Sequence, residues 1–417
     1  MLRRNIEPSL KAAVKDTPVL LINGARQVGK TTLVQSIFKE THQYCTLDDV
    51  TALASIKRDP LSFLADLDSP TIIDEVQKAP ELFLPLKKVV DANRRPGFFV
   101  LTSSANILGY PKLLEYLVGR MEIYTLWPFS QGEILGKKEE FIENIFSEKP
   151  KKFNEGISLK NLAEKITKGG YPEAIARENS NKRNTWFKGY LTTLLEKDIH
   201  VLSPHIQVHG LSQIPNLLNA LASRVGSSLN TAEISRNLQL PNVTLKRYLK
   251  LIQTVCIVNY LPGWSKNPSR RLRILRKSPK IFLNDTGFLT DILSLNEEML
   301  FPQKPFFGYV LKNFVVMEIL KQQTWSKIPF KVYHYRTDTG QEVDLILEAA
   351  DGRVIGIEVK LSKSVDQNDF KGLGFLEKFL GKSFYRGIVL YTGDKTLSFG
   401  NKYAVPLPAL WGIWGKH

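Results

Sequence analysis

The chain has 417 residues, 43% hydrophobic and 24% charged, a balance that excludes a disordered or fibrous chain and predicts two to three folded domains. Its 57 basic residues outnumber 41 acidic ones, leaving a formal charge of +16 and a pI near 9.5, which points to a polyanionic partner, nucleic acid first. Two cysteines, Cys45 and Cys256, cannot build a disulfide framework, no apolar run reaches the roughly 18 residues of a membrane span, and the first residues lack the apolar core of a signal peptide. A cytoplasmic location and no membrane partner are expected.

The first predicted element is the apolar stretch 18–22, which reads as a buried parallel strand. It runs into Gly24, Ala25, Arg26, Gln27, Val28, Gly29, Lys30, Thr31 and Thr32, the G-x-x-x-x-G-K-[ST] spacing of a phosphate-binding loop. A helical pattern over 32–38 follows. Strand, Gly-bearing turn and helix N-terminus aim backbone N–H groups at one point, which favours polyphosphate. In that frame Lys30 reaches the β- and γ-phosphates of ATP and the Thr31 hydroxyl meets Mg2+.

Residues 70–75 form a second apolar strand ending in Asp74 and Glu75. Asp74 is expected to hold Mg2+ and Glu75 to polarise the attacking water; the competing reading is a pair of acids capping the next helix. A third strand over 97–102 ends at Ser103 and Ser104, either of which is a candidate sensor of the γ-phosphate, with a plain strand-end turn as the competing reading. Arg120, in Leu117-Val118-Gly119-Arg120, is a candidate for stabilising transition-state charge, within the subunit or from a neighbour, with a structural ion pair as the alternative.

Further along, 229–238 and 243–252 read as two helices around a turn at 239–242, the first capped by Asn230 or Thr231. Two strands, 256–261 and 271–275, would complete a winged helix. Residues 241–280 carry ten basic side chains, Arg270, Arg271 and Arg273 among them, and no acid. Such a unit reads DNA with its second helix and touches backbone with its wing, although winged helices also serve as lids or protein docks.

Near the C-terminus, segments 331–336 and 342–347 flank a turn at 337–340, and Asp351-Gly352 leads into 354–360. Period-two alternation puts Glu358 and Lys360 on one strand face, beside Asp344 on the neighbouring strand. An Asp followed by E-x-K is the spacing of PD-(D/E)xK nucleases. There Asp344 and Glu358 would hold Mg2+ and Lys360 would orient or activate the attacking water. Glu318, in the helical run 311–320, is a possible further carboxylate. The alternative is an edge strand carrying a surface ion pair.

Taken together, G-A-R-Q-V-G-K-T-T at 24–32, I-I-D-E-V-Q-K at 72–78, L-T-S-S-A-N at 101–106, L-V-G-R at 117–120, L-x-P-F-S-x-x-E at 126–133, G-G-Y-P-E-A at 169–174, K-S-P-K-I-F-L-N-D-T-G at 277–287, G-Q-E-V-D at 340–344 and E-V-K at 358–360 carry a resemblance. The chain resembles prokaryotic AAA-type ATPases with a C-terminal domain of unknown function, DUF4143. The resemblance implies an α/β P-loop domain with a doubly wound parallel sheet over about 1–145. It further implies a helical segment with a winged helix over 146–300 and a restriction-endonuclease-like α/β domain over 301–417. The third strand usually reads L-T-G-S in that group and reads Leu101-Thr102-Ser103-Ser104 here, so the sensing residue stays open.

The expected function is ATP hydrolysis coupled to engagement of nucleic acid, DNA first, with metal-dependent strand cleavage, as in repair or defence, as an additional activity. The competing reading is an ATP-dependent switch whose end domains bind protein or DNA without cutting. Oligomeric state is left open.

Overall fold

The computed structural model describes residues 2–106, 115–199, 212–265, 278–337 and 339–414. Five short strands, β1 (Val19–Asn23), β2 (Gln43–Thr46), β3 (Thr71–Asp74), β4 (Phe99–Ser103) and β5 (Met121–Thr125), form one sheet in the order β2-β3-β4-β1-β5. Every pairing in it is parallel. A parallel sheet needs cover on both faces, because its crossovers are helices. Accordingly Val19, Leu21, Ile73, Phe99 and Leu101 pack on one side against helices Val50–Arg58, Pro60–Ala65 and Phe83–Ala92. The alternate residues Leu20, Ile22, Ile72 and Val100 join a core shared with helix Lys30–Phe38 and much of the remaining chain. The expected doubly wound domain is observed, with β4 between the strands that carry the phosphate loop and Asp74.

Helices Thr231–Asn237 and Asn242–Thr254 form the expected pair, the first capped by the Asn230 side chain on the Glu233 N–H. Strand β6 (Val258–Leu261) pairs antiparallel with β7 (Lys280–Leu283). The expected strand 271–275 and the arginines at 270, 271 and 273 lie outside the described residues.

Strands β8 (Phe330–Arg336), β9 (Glu342–Ala349) and β10 (Val354–Lys360) make the expected antiparallel meander; Asp338 of its first turn lies outside the described residues. Strand β11 (Phe384–Tyr391) adds parallel to β10, β13 (Lys402–Pro406) parallel to β11, and β12 (Leu397–Phe399) antiparallel to β13. The 20-residue helix Lys304–Gln323 packs on this mixed sheet and on β7, tying the C-terminal sheet to the centre of the chain.

Candidate functional site

The phosphate loop leaves β1 at its C-terminal end, beside β4 and β5, where the strand order turns back and open α/β sheets bind ligands. Gly24 has φ +153, and a Cβ there would meet the Leu126 carbonyl oxygen at 2.2 Å, so no larger residue fits. Gly29 has φ +95 at the N-cap of helix Lys30–Phe38, a left-handed turn that glycine adopts freely. The result is a helix N-terminus opened by a tight loop, as the spacing predicts.

Lys30 is only 4% exposed. Its ammonium donates to the Gly24 and Ala25 carbonyls and to Ser104 Oγ, each at 3.0 Å. Ser104 in turn donates to Glu75 Oε1 at 2.8 Å. The second carboxylate oxygen of Glu75 accepts from Gln77, whose own oxygen takes the Ser104 N–H at 3.2 Å. Glu75 sits at φ +62, a conformation that costs a non-glycine residue energy and turns its side chain away from the line of β3. Lysine, serine and glutamate are thereby linked across three strand ends.

Asp74 lies next to them and is buried. It accepts hydrogen bonds from Thr31 Oγ1 at 2.9 Å, from Tyr44 at 2.8 Å and from Thr102. Burial, then the hydrogen bond to Asp74, pushes the Tyr44 phenol far above its ordinary range, so it stays a donor. A threonine hydroxyl facing an oxygen-only carboxylate suits a hard divalent cation; Thr31 and Asp74 would hold Mg2+ here, and the ion would supply positive charge against that of the phosphates. Beside the loop, a cavity of about 340 Å³ is lined by Leu2, Val28, Leu33, Phe129, Pro172 and Ile175. Its apolar walls next to a phosphate cradle suit a flat heteroaromatic base. Arg4 also lines it, stacking on Phe129 at 3.4 Å, pairing with Glu133 at 3.2 Å and donating to the Val28 carbonyl.

Three sequence expectations need correction. Arg120 precedes β5 and its carbonyl accepts the Val19 N–H, which puts it at the start of the parallel strands, the end opposite the phosphate loop. It pairs with Asp91, so within this chain it is a structural ion pair and does not meet phosphate. Ser103 is buried and turned onto the Ala105 carbonyl at 2.9 Å; Ser104 alone faces Lys30 and Glu75. Glu318 is buried against Lys321 at 2.7 Å and accepts the Gln131 N–H at 2.9 Å, away from the C-terminal carboxylates. Sequence reasoning missed Gln77, Tyr44, Thr102 and Arg4, because their roles rest on contacts between distant segments.

In the C-terminal sheet Asp344 and Glu358 do converge, lining one polar cavity. Lys360 instead pairs with Asp369 at 3.4 Å, and the helix supplies Lys312, 2.6 Å from Asp344. Among the described residues no group of three or more His, Cys, Asp or Glu side chains is placed to hold a metal.

Residues 16–135 match the model of an AAA domain, residues 307–410 that of a domain of unknown function, DUF4143, and residues 159–299 that of another, DUF8612. The chain therefore carries an AAA domain of the P-loop ATPase type. A DUF4143 domain follows it at the C-terminal side, so the two domains occur in one chain. An uncharacterized protein of Mycobacterium tuberculosis is 29% identical over 370 residues, 86% of this chain and 74% of that one. An uncharacterized protein of Methanocaldococcus jannaschii is 23% identical over 373 residues, 85% and 77% respectively. Among solved structures, a Walker-type ATPase of Pyrococcus abyssi covers 70% of this chain and 96% of its own at 13% identity, with a TM-score of 0.41. No helix of the described residues is long and apolar enough to cross a membrane.

Proposed function

We propose that this AAA-type ATPase binds ATP with Mg2+ and uses its hydrolysis to change how the helix pair 231–254 engages DNA. The observation that carries the coupling lies just past Ser104. The Asn106 N–H donates to the carbonyl of Thr254 at 2.6 Å, and Thr254 is the last residue of helix Asn242–Thr254. The strand end that carries Ser104 therefore rests directly on the C-terminal end of the second helix. A shift of Ser104 when phosphate arrives or leaves has a short, rigid path to that helix.

The other end of the helix suits a polyanion. Val243 is 82% exposed, and Lys246, Arg247 and Lys250 are exposed beside it. Their row presents charge to a phosphate backbone while the helix N-terminus adds its dipole. In the catalytic step Glu75 would take the proton of an attacking water, Lys30 would stabilise the charge growing on the phosphate oxygens, and Ser104 would orient both. Strand cleavage is left out of this reading, because Lys312 already occupies Asp344.

The test is the ATP turnover rate of the full chain without DNA, with single-stranded DNA and with duplex, followed by a gel of the DNA. Stimulation of turnover by one DNA form, with the strands intact, is the expected result. A turnover rate indifferent to every DNA form would refute the coupling while leaving the ATPase assignment in place.

A further inference from the structure

Among the described residues, three hydroxyls from three different elements meet the Asp74 carboxylate. Thr31, at the start of helix Lys30–Phe38, donates to Oδ2 at 2.9 Å and lies 3.2 Å from Oδ1. Thr102, on β4, donates to Oδ1 while its own oxygen takes the Glu75 N–H at 3.1 Å. Tyr44, on β2, donates to Oδ2 at 2.8 Å. A carboxylate only accepts, so each hydroxyl points its proton at Asp74. For Thr31 that leaves the oxygen lone pairs to face a cation. Tyr44 and Thr102 have no such second task toward the ion.

The place of Tyr44 follows from strand register. Tyr44 stands opposite Ile72, and Thr46 opposite Asp74, in the parallel pairing of β2 with β3. Opposite residues share a face and alternation has period two, so Tyr44 lies on the face of Asp74, one side-chain step back along the edge strand. Its ring is 42% exposed, whereas Asp74 is 3% exposed. A ring so open adds little to the core; what the position supplies to the buried acid is the hydroxyl. The terminal torsion of an aspartate is broad, so hydrogen bonds and not rotamer preference set the plane of its carboxylate. Thr102 holds one oxygen from the β4 flank of β3, and Tyr44 the other from the β2 flank.

We infer that Tyr44 is a positioning residue for the divalent cation: its phenol fixes the plane of the Asp74 carboxylate and thereby sets how tightly the chain takes Mg2+-bound ATP. Partners that orient a ligating carboxylate typically carry about a tenfold to hundredfold share of metal affinity. The inference rests on the ATP and Mg2+ reading proposed above and is independent of DNA.

The experiment measures equilibrium binding of a fluorescent, non-hydrolysable ATP analogue to the full chain, once in EDTA and once in excess Mg2+. The ratio of the two affinities is the gain that the cation brings. Tyr44→Phe, which keeps the ring and removes the hydroxyl, should cut that gain about tenfold. Binding in EDTA needs the folded phosphate loop but no cation, so it should stay as in wild type and shows that the variant folds. Tyr44→Leu, which removes ring and hydroxyl together, should lose no more than Tyr44→Phe. A gain reduced in Tyr44→Leu and intact in Tyr44→Phe would assign the residue to packing and overturn the inference. A gain that Asp74→Asn abolishes but Tyr44→Phe leaves intact or enlarges would overturn the role of Tyr44 alone, with the cation site standing. A wild-type chain that binds the analogue equally well with and without Mg2+ would remove the cation reading itself and the inference with it.

Discussion

Ser104 connects the phosphate-binding lysine to the acid that would activate water: its hydroxyl accepts from Lys30 at 3.0 Å and donates to Glu75 at 2.8 Å. Two residues 45 positions apart in the chain are held to one hydroxyl because β4 lies between β1 and β3. Ser104→Ala should therefore lower kcat for ATP at least about tenfold, the equivalent of losing ~1.5 kcal/mol of hydrogen bonding to charged groups, while KM changes little. A stopped assay over a range of ATP concentrations checks this, and a rise in KM alone would contradict the positioning role.

Lys30 and Glu75 themselves should separate binding from chemistry. Lys30→Ala loses the charge that meets the phosphates and should bind a fluorescent ATP analogue weakly as well as fail to turn ATP over. Glu75→Gln should bind it normally and turn over about 10²- to 10⁴-fold more slowly, the usual worth of a positioned base. Equilibrium binding and turnover measured on both proteins decide the assignment; a Glu75→Gln protein as fast as wild type would move the base elsewhere.

For DNA, charge-driven affinity falls with salt by roughly 0.9 log units per log unit of salt for each phosphate contacted. Replacing Lys246, Arg247 and Lys250 by alanine should flatten that slope and weaken binding to all sequences alike. A salt titration by fluorescence anisotropy measures it, and a slope unaltered by the triple replacement would place the DNA contact on another surface.

The stability of the central segment should depend on pH through Asp291, whose carboxyl is pushed up to about 6 by burial, with Lys188 opposing. Because the folded state holds the proton more tightly than the unfolded state, stability falls as pH rises from near the unfolded value of about 4 through 6. Asp291→Asn should therefore raise the melting temperature at pH 7.5 and make little difference at pH 4. Melting curves at both values test the sign.

Much of the first domain was legible in the sequence because its information is local. A phosphate loop needs a buried strand, glycine at two backbone positions and a lysine at the helix start, all within 18–32. The strand ending in Asp74 and Glu75 and the meander around Asp344 and Glu358 announced themselves by the same short-range patterns of apolar run, alternation and turn. Asn230 was readable as a cap for an equally local reason, since its side chain bonds an N–H three residues ahead.

What the tertiary structure decided were the partners of those side chains. Spacing within one segment says nothing about which end of a parallel sheet another segment reaches, so Arg120 could be read as a phosphate ligand until its strand register placed it at the far end. Nor could local pattern choose between Ser103 and Ser104, because only the turn after β4 determines which hydroxyl faces Lys30. In the C-terminal sheet the alternation of β10 correctly put Glu358 on the face toward Asp344. It could not reveal that Lys312, from a helix 32 residues earlier, would neutralise Asp344, because a buried charge is satisfied by whatever long-range packing brings within reach.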